Sequence, residues 1–417
     1  MHRRVLGEDH PYVASDMHNL GRILESRGNQ AEAERLLLGC LAVLDKIYDG
    51  PHMEKAQVMR SVAEFYLNQQ RPDKADSLAS AALQMTRQLY GDDAHETRRA
   101  KLTFGELYQR SGRFDEALPW FLAMLPEVRS HQLTDPTLLP DLLYRIAIVL
   151  SRLGRDRDAL PYFRESTDLY TKVSGLDHPN TLLVRNDYAR SLSNLGDYAT
   201  ALTQLQAVLE ARERMLGPAN PETAITRADL GRALWRLGRL EEAAASLLRS
   251  RDDYGAAKGL DNPGRWSATA HYAVVLRDLG RVDEAAKELR ACEGFFLKQG
   301  GESGAGTRAV RMRLASVALW SGRRDDCDRL LAQALDPALG EVAKSLPGRS
   351  EVELGDVLAK TGHPDEAAVR LRRGYDLLLK TNGPADSDTQ LAVRLLVKLY
   401  EDQGRARDAA AWRTKQV

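Results

Sequence analysis

The chain has 417 residues, and its 59 basic side chains are balanced by 59 acidic ones, so nothing pulls it as a whole toward nucleic acid or an anionic membrane. With 28% charged and 43% hydrophobic residues it fits a folded soluble protein, not a disordered or fibrous one. Three widely spaced cysteines offer neither a disulfide framework nor a zinc motif, and the longest apolar runs, such as Ile146 to Leu150, are too short to span a membrane. Met1-His-Arg-Arg has no apolar segment behind it, as a secretory signal would. The expectation is a reduced, cytoplasmic chain with no nucleic-acid or membrane partner.

In chain order, the sequence repeats itself. Gly-x-x-x-x-Ala, or a close variant, starts at Gly28, Gly112, Gly154, Gly196, Gly238, Gly280, Gly322, Gly362 and Gly404, with Gln70 holding the same phase in the second unit. Successive starts differ by 42 (154 − 112), except for one step of 40 (362 − 322). Five residues after each start come Ala33, Ala75, Ala117, Ala159, Ala201, Ala243, Ala285, Cys327, Ala367 and Ala409. Repetition at such a period signals a stack of supersecondary units that share one core.

Further columns give each unit its form. Eight residues before the starts lie Leu20, Val62, Phe104, Ile146, Tyr188, Leu230, Tyr272, Leu314, Leu354 and Leu396, each followed by Gly or Ala except at Val397. Four before are mostly Leu or Tyr, from Leu24 to Tyr400. Large residues at minus eight and minus four beside a small one at minus seven form one helical stripe, and plus five, nine and twelve form a second, as in Ala117, Phe121 and Met124. Each unit is therefore two amphipathic helices, A then B. The turn Gly suits a left-handed cap. A second glycine, at Gly7, Gly91, Gly175, Gly217, Gly259, Gly301 and Gly383, usually lies between repeats, and Asp-His-Pro or Asn-Pro pairs such as Asn220-Pro221 open the next helix A.

Irregularities follow the same ruler. Met1 to Gly7 aligns with Ala211 to Gly217, the end of a helix B, so either a preceding repeat or domain is missing or this segment is a frayed extension. Gln70 replaces a turn glycine, and Pro126 should kink or shorten the third helix B. The 40-residue step coincides with Asp336-Pro337 and Leu346-Pro347-Gly348. This predicts a shortened helix and a rebuilt linker, a hinge over 336–349 between repeats 1–8 (1–335) and repeats 9–10 (350–417).

These columns resemble those of the tetratricopeptide repeat (TPR) over nearly the whole chain. The 42-residue period, with Leu6-Gly-Glu-Asp-His-Pro11, is similar to the longer repeats of kinesin light chains. The ending from Leu399 to Arg413 looks like the ends of arrays in bacterial serine/threonine kinases. The resemblance implies an all-α, right-handed superhelix of about ten two-helix repeats, a TPR solenoid whose A helices line a concave groove.

On helix A, positions minus ten and minus six lie two residues, about 200° of rotation, from the core position, so they face away from the core, and minus three joins them. In the middle repeats these places hold Tyr144, Asn186, Arg190, Arg232, Trp235 and Arg277, with Arg152 and Arg236 one residue further round. Arginines can form paired bonds with carboxylates, and Trp235 supplies apolar area, so these eight residues are the candidate site for an acidic peptide. No repeat has the Lys and Asn of the chaperone-tail clamp at minus ten and minus six, and only Asn19 and Asn186 match the asparagine ladder of the kinesin light-chain groove.

Catalytic signatures are lacking. Gly301-Glu-Ser-Gly-Ala-Gly306 has phosphate-loop glycine spacing without the lysine and reads as an inter-repeat linker. Cys40, Cys292 and Cys327 occupy small core columns, and His10 and His178 belong to the helix-starting motif, so neither set reads as catalytic or metal-binding. The expected function is a non-enzymatic scaffold, without cofactor or metal, that binds a peptide or helical segment in its groove. The alternative is a regulatory region of a bacterial serine/threonine kinase whose catalytic domain lies outside this chain.

Overall fold

The computed structural model describes residues 7–69, 71–92, 94–130, 136–259, 261–336, 338 and 346–416. Among them are twenty helices and no strand, so the expected all-α repeat architecture forms. The chain divides into two compact units, Met1–Leu153 and Gly154–Val417. The first holds α1 (Pro11–Ser26), α2 (Gln30–Ile47), α3 (Met53–Asn68), α4 (Pro72–Tyr90), α5 (His95–Arg110), α6 (Phe114–Ser130) and α7 (Leu138–Arg152). The second opens with α8 (Asp156–Ser174), α9 (Pro179–Asn194), α10 (Tyr198–Leu216), α11 (Pro221–Arg236), α12 (Leu240–Lys258) and α13 (Pro263–Asp278). It continues with α14 (Val282–Gly300), α15 (Ala305–Trp320), α16 (Arg324–Leu335), α17 (Leu346–Lys360), α18 (Pro364–Asn382), α19 (Ser387–Asp402) and α20 (Ala406–Arg413). Odd-numbered helices are the A helices and even-numbered ones the B helices.

Local chemistry starts these helices where the pattern puts them. His10, His52 and His178 cap α1, α3 and α9 through Nδ1, which accepts from a main-chain N–H two residues on. Asn220 and Asn262 do the same for α11 and α13 with a side-chain oxygen. A threonine column adds a tie the periodicity alone does not reveal. Thr97, Thr181, Thr223 and Thr307, in the first turn of their A helices, donate to the carbonyls of Gly91, Gly175, Gly217 and Gly301 at 2.7–3.0 Å. Those glycines have positive φ, as do the turn glycines between A and B, so both corners of a repeat use conformations that a side chain would strain.

Packing follows the columns. The plus-five residues from Ala33 to Ala409, Cys327 included, are all buried. The minus-seven glycines let helix A approach its own helix B: a Cβ on Gly231 would lie 2.7 Å from Leu247, and one on Gly355 2.6 Å from Leu371. Burial pushes the thiols of Cys40 and Cys327 up to about 11 and that of Cys292 up to about 12, which keeps them protonated. Leu20 departs from its column. It is 48% exposed, because among the described residues no earlier repeat covers that side of α1.

Side chains also clamp neighbouring repeats. Tyr108 on α5 donates its hydroxyl to Asp76 on α4 at 2.8 Å, and Arg113 grips the same carboxylate with two bonds of 2.9 Å. The Arg113 guanidinium lies 4.9 Å from the Tyr108 ring centroid, and Tyr66, Arg71 and Glu34 repeat the arrangement one repeat earlier.

Of two irregularities, one departs from the expectation and one meets it. α6 runs on to Ser130, four residues past Pro126, so the proline does not end it there. The lost hydrogen bond is tolerated because Val128 beyond it is buried. α16 is cut to 12 residues, against 19 in α8 and α10, as the 40-residue step predicts. Most of the 336–349 linker, Gln70 and Met1 to Leu6 lie outside the described residues. Packing resumes after the linker, where Leu354 joins Ala315, Ala318 and Cys327 in one cluster.

Candidate functional site

Within the second unit, A helices from α9 to α19 contribute both polar and apolar side chains to the lining of one chamber. Adjoining cavities of about 200, 310 and 480 Å³ share Trp235 and Arg236 as lining residues. α19 closes the ring. Arg394 packs on Gly196, within 3.0 Å of where a Cβ would stand, and Asp386 stands against Gly154.

Four of the eight candidate residues, Arg190, Arg232, Trp235 and Arg236, line the chamber with their side chains partly exposed. Each has a neighbour that sets its orientation. Arg190 pairs with Asp187 at 2.7 Å and is 29% exposed. Arg232 pairs with Asp229 and is 38% exposed. The Trp235 indole N–H donates to Asp278 at 2.8 Å, and Arg236 stacks on the indole with its guanidinium 4.1 Å from the ring centroid.

The other four are placed differently. Asn186 was expected on the open face, but it is 2% exposed and donates to Asp229 at 2.8 Å, because that buried carboxylate also needs a donor. Arg277 lines the chamber wall but is only 1% exposed. It reaches Asp278 at 2.8 Å, Glu353 at 3.3 Å and the Ser316 hydroxyl at 2.7 Å, so its role is to join α13, α15 and α17. Burial disfavours its charge, but Asp278, Glu353 and Asp356 outweigh burial and hold its pKa above the ordinary value. Tyr144 and Arg152 belong to the first unit, where Arg152 borders a shallow hollow with Glu106, Arg110 and Arg145.

Acids account for most of the remaining charge. Lys360 on α17 reaches Asp278 at 2.9 Å and Asp356 at 2.8 Å, and Arg349 pairs with Asp388. Burial, followed by Arg313, Arg232 and Arg236, holds His271 well below its ordinary pKa of 6.5. Its Nδ1–H donates to the Ser267 carbonyl at 2.8 Å. Burial likewise lowers the pKa of Arg313 and Arg394.

His271, Arg313 and Arg394 are chamber residues outside the candidate set. Arg394 occupies the minus-ten column of the last repeat, so the same ruler could have found it. His271 and Arg313 share minus nine, one residue round from that column. Among the described residues, no group of three or more His, Cys, Asp or Glu side chains is placed to hold a metal, and no helix is long and apolar enough to cross a membrane.

Comparison with known proteins agrees with the architecture. Tetratricopeptide repeat models match residues 54–123, 138–214 and 183–255, others of the same description match 13–48, and others again 266–291 and 348–373. No curated protein matches the chain. Among solved structures, apo RapI is 11% identical with a TM-score of 0.62, over 88% of this chain and 98% of that one. The quorum sensor NprR from B. thuringiensis is 13% identical with a TM-score of 0.48, over 96% of this chain and 97% of the other. A Podosopora anserina structure, whose nearly identical TPR-like repeats are ascribed to a kinesin light chain, is 20% identical with a TM-score of 0.43. It covers 50% of this chain and 96% of its own. At 11% identity the likeness to RapI is one of fold alone. Repeat period, helix pairing and matching models agree: the chain belongs to the tetratricopeptide repeat family.

Proposed function

We propose that the chain is a non-enzymatic scaffold that binds an acidic peptide or helical protein segment on the A-helix faces of its second unit. The observation that carries this reading is the pair Arg190 and Arg232. They hold the same column in consecutive repeats, and each is fixed by an aspartate three residues earlier on its own helix. A guanidinium has five donors, more than one carboxylate takes up, so an aspartate-fixed arginine can still bind a second acid without first being ordered. Trp235, held by Asp278, adds apolar area beside them. Association with a bacterial serine/threonine kinase is supported by the likeness of the final residues alone.

The test is affinity for acidic peptides selected by display against the whole chain. Arg190→Gln combined with Arg232→Gln should weaken the selected peptide by tenfold or more, since bonds to charged groups are worth about 1.5–3 kcal/mol each. Glutamine is preferred to glutamate because reversal would set a carboxylate beside buried Asp229 and confuse binding with folding. Unchanged affinity would remove the site.

A further inference from the structure

The cavity of about 310 Å³ has a mixed lining. Val274, Met312, Val352, Leu378, Leu391 and Leu395 make part of it apolar. Arg236, Arg313 and His271 also line it. Its acids are already engaged: Glu353 by Arg277, Asp356 by Lys360, and Asp388 by Arg349. Arg236 and Arg313 form no ion pair among the described residues: Arg236 stacks on the Trp235 ring, and Glu353, which favours the charge of Arg313, is itself engaged by Arg277. Holding such charges away from water is unfavourable unless something neutralises them. The volume falls at the lower end of the range for small-ligand sites.

We propose that this chamber binds an apolar carboxylate, with the carboxylate between Arg236 and Arg313 and the hydrocarbon part against Val274, Leu391 and Leu395. Guanidinium and carboxylate match in shape as well as charge, and the apolar side chains give the ligand's body a surface that inorganic anions cannot use. The ligand is either a free carboxylic acid or the C-terminal end of a chain with an apolar last residue. The site shares Trp235 and Arg236 with the scaffold reading, but Arg190 and Arg232 line only the adjoining cavity, so loss of one site can be told from loss of the other.

The experiment is calorimetric titration of the full chain with hexanoate and with an N-acetylated tripeptide ending in leucine. Hexanol, the amidated tripeptide and inorganic phosphate serve as comparisons. The expected result is that at least one carboxylate binds, with its neutral counterpart and phosphate at least tenfold weaker. Hexanoate alone would identify free acids as the source, and the tripeptide alone a chain end. Arg313→Gln should weaken the bound probe at least tenfold, whereas Arg35→Gln, exposed on α2 of the first unit, should leave it unchanged. Should Arg313→Gln unfold, the unaltered protein still decides, because the His271 ring resonances must shift on saturation. Binding of neither carboxylate overturns the proposal. So does equal binding of hexanol or phosphate, a silent His271, or undiminished affinity in folded Arg313→Gln protein.

Discussion

Arg394 on α19 donates to the main-chain carbonyl of Asn194, 200 residues earlier in the chain, at 3.1 Å, and to that of Leu195 at 3.3 Å. Both carbonyls lie at the C-terminal end of α9, where main-chain acceptors lack helical partners and the helix dipole favours a cation. One side chain thus ties the tenth repeat to the fifth. Arg394→Met keeps the aliphatic stem and removes the bonds, so it should cost about 1–3 kcal/mol. Urea unfolding measures the loss, and hydrogen exchange should quicken over 387–402. Unchanged exchange there would show that the tie does not hold α19.

Ala201 is fully buried at the plus-five position, where α10 meets α9. Ala201→Trp adds a large ring where the packed helices leave no room, and Gly231→Val drives a side chain into Leu247. Each should destabilise by about 1–3 kcal/mol or more. The melting temperature reads this directly, and an undiminished value for Ala201→Trp would contradict the close approach of the helices.

The clamp of Tyr108, Arg113 and Asp76 predicts coupling between repeats. Asp76 and Arg113 are both partly exposed, so solvent screening reduces the pair to about 0.5–1 kcal/mol. A double-mutant cycle of Asp76→Ala and Arg113→Ala, read by chemical denaturation, should recover a coupling of that size. Additive losses would show two independent surface residues.

His271 predicts a pH dependence. Burial first, then Arg313, Arg232 and Arg236, disfavours its proton, while Arg277, Arg349, Glu353, Asp356 and Asp388 also line the cavity. The unfolded chain takes up the proton near the ordinary value of 6.5, whereas the folded chain does so only well below it. Between those two values the unfolded state binds more protons, so stability falls as pH falls through that window. His271→Gln should remove this contribution: the variant gains on the parent between pH 7.5 and 5.5, about one unit either side of the ordinary histidine value. Denaturation midpoints that fall in parallel would mean that His271 titrates normally.

Much of the architecture was legible because a repeat states each packing requirement several times. The alanine column, the minus-seven glycines and the short α16 all stand where the ruler puts them. The site was legible only as a list of directions. A helical phase says that Arg232 and Arg277 face away from their own core, but not what stands opposite. Arg277 is buried because Glu353, from a repeat two further on, comes to meet it. Leu20 fails for the opposite reason: its column implies a neighbour that the described residues do not supply. Likewise Asp187 and Asp229 look like surface charges until Arg190, Arg232 and Asn186 are seen to use them.

The bond from α19 back to α9 has a consequence for how this protein can change. An open stack tolerates gain or loss of a module, because each module touches only its neighbours. Here a duplicated or deleted 42-residue unit between α11 and α18 would carry Arg394 away from the Asn194 carbonyl. Growth by duplication in this segment would therefore forfeit that tie.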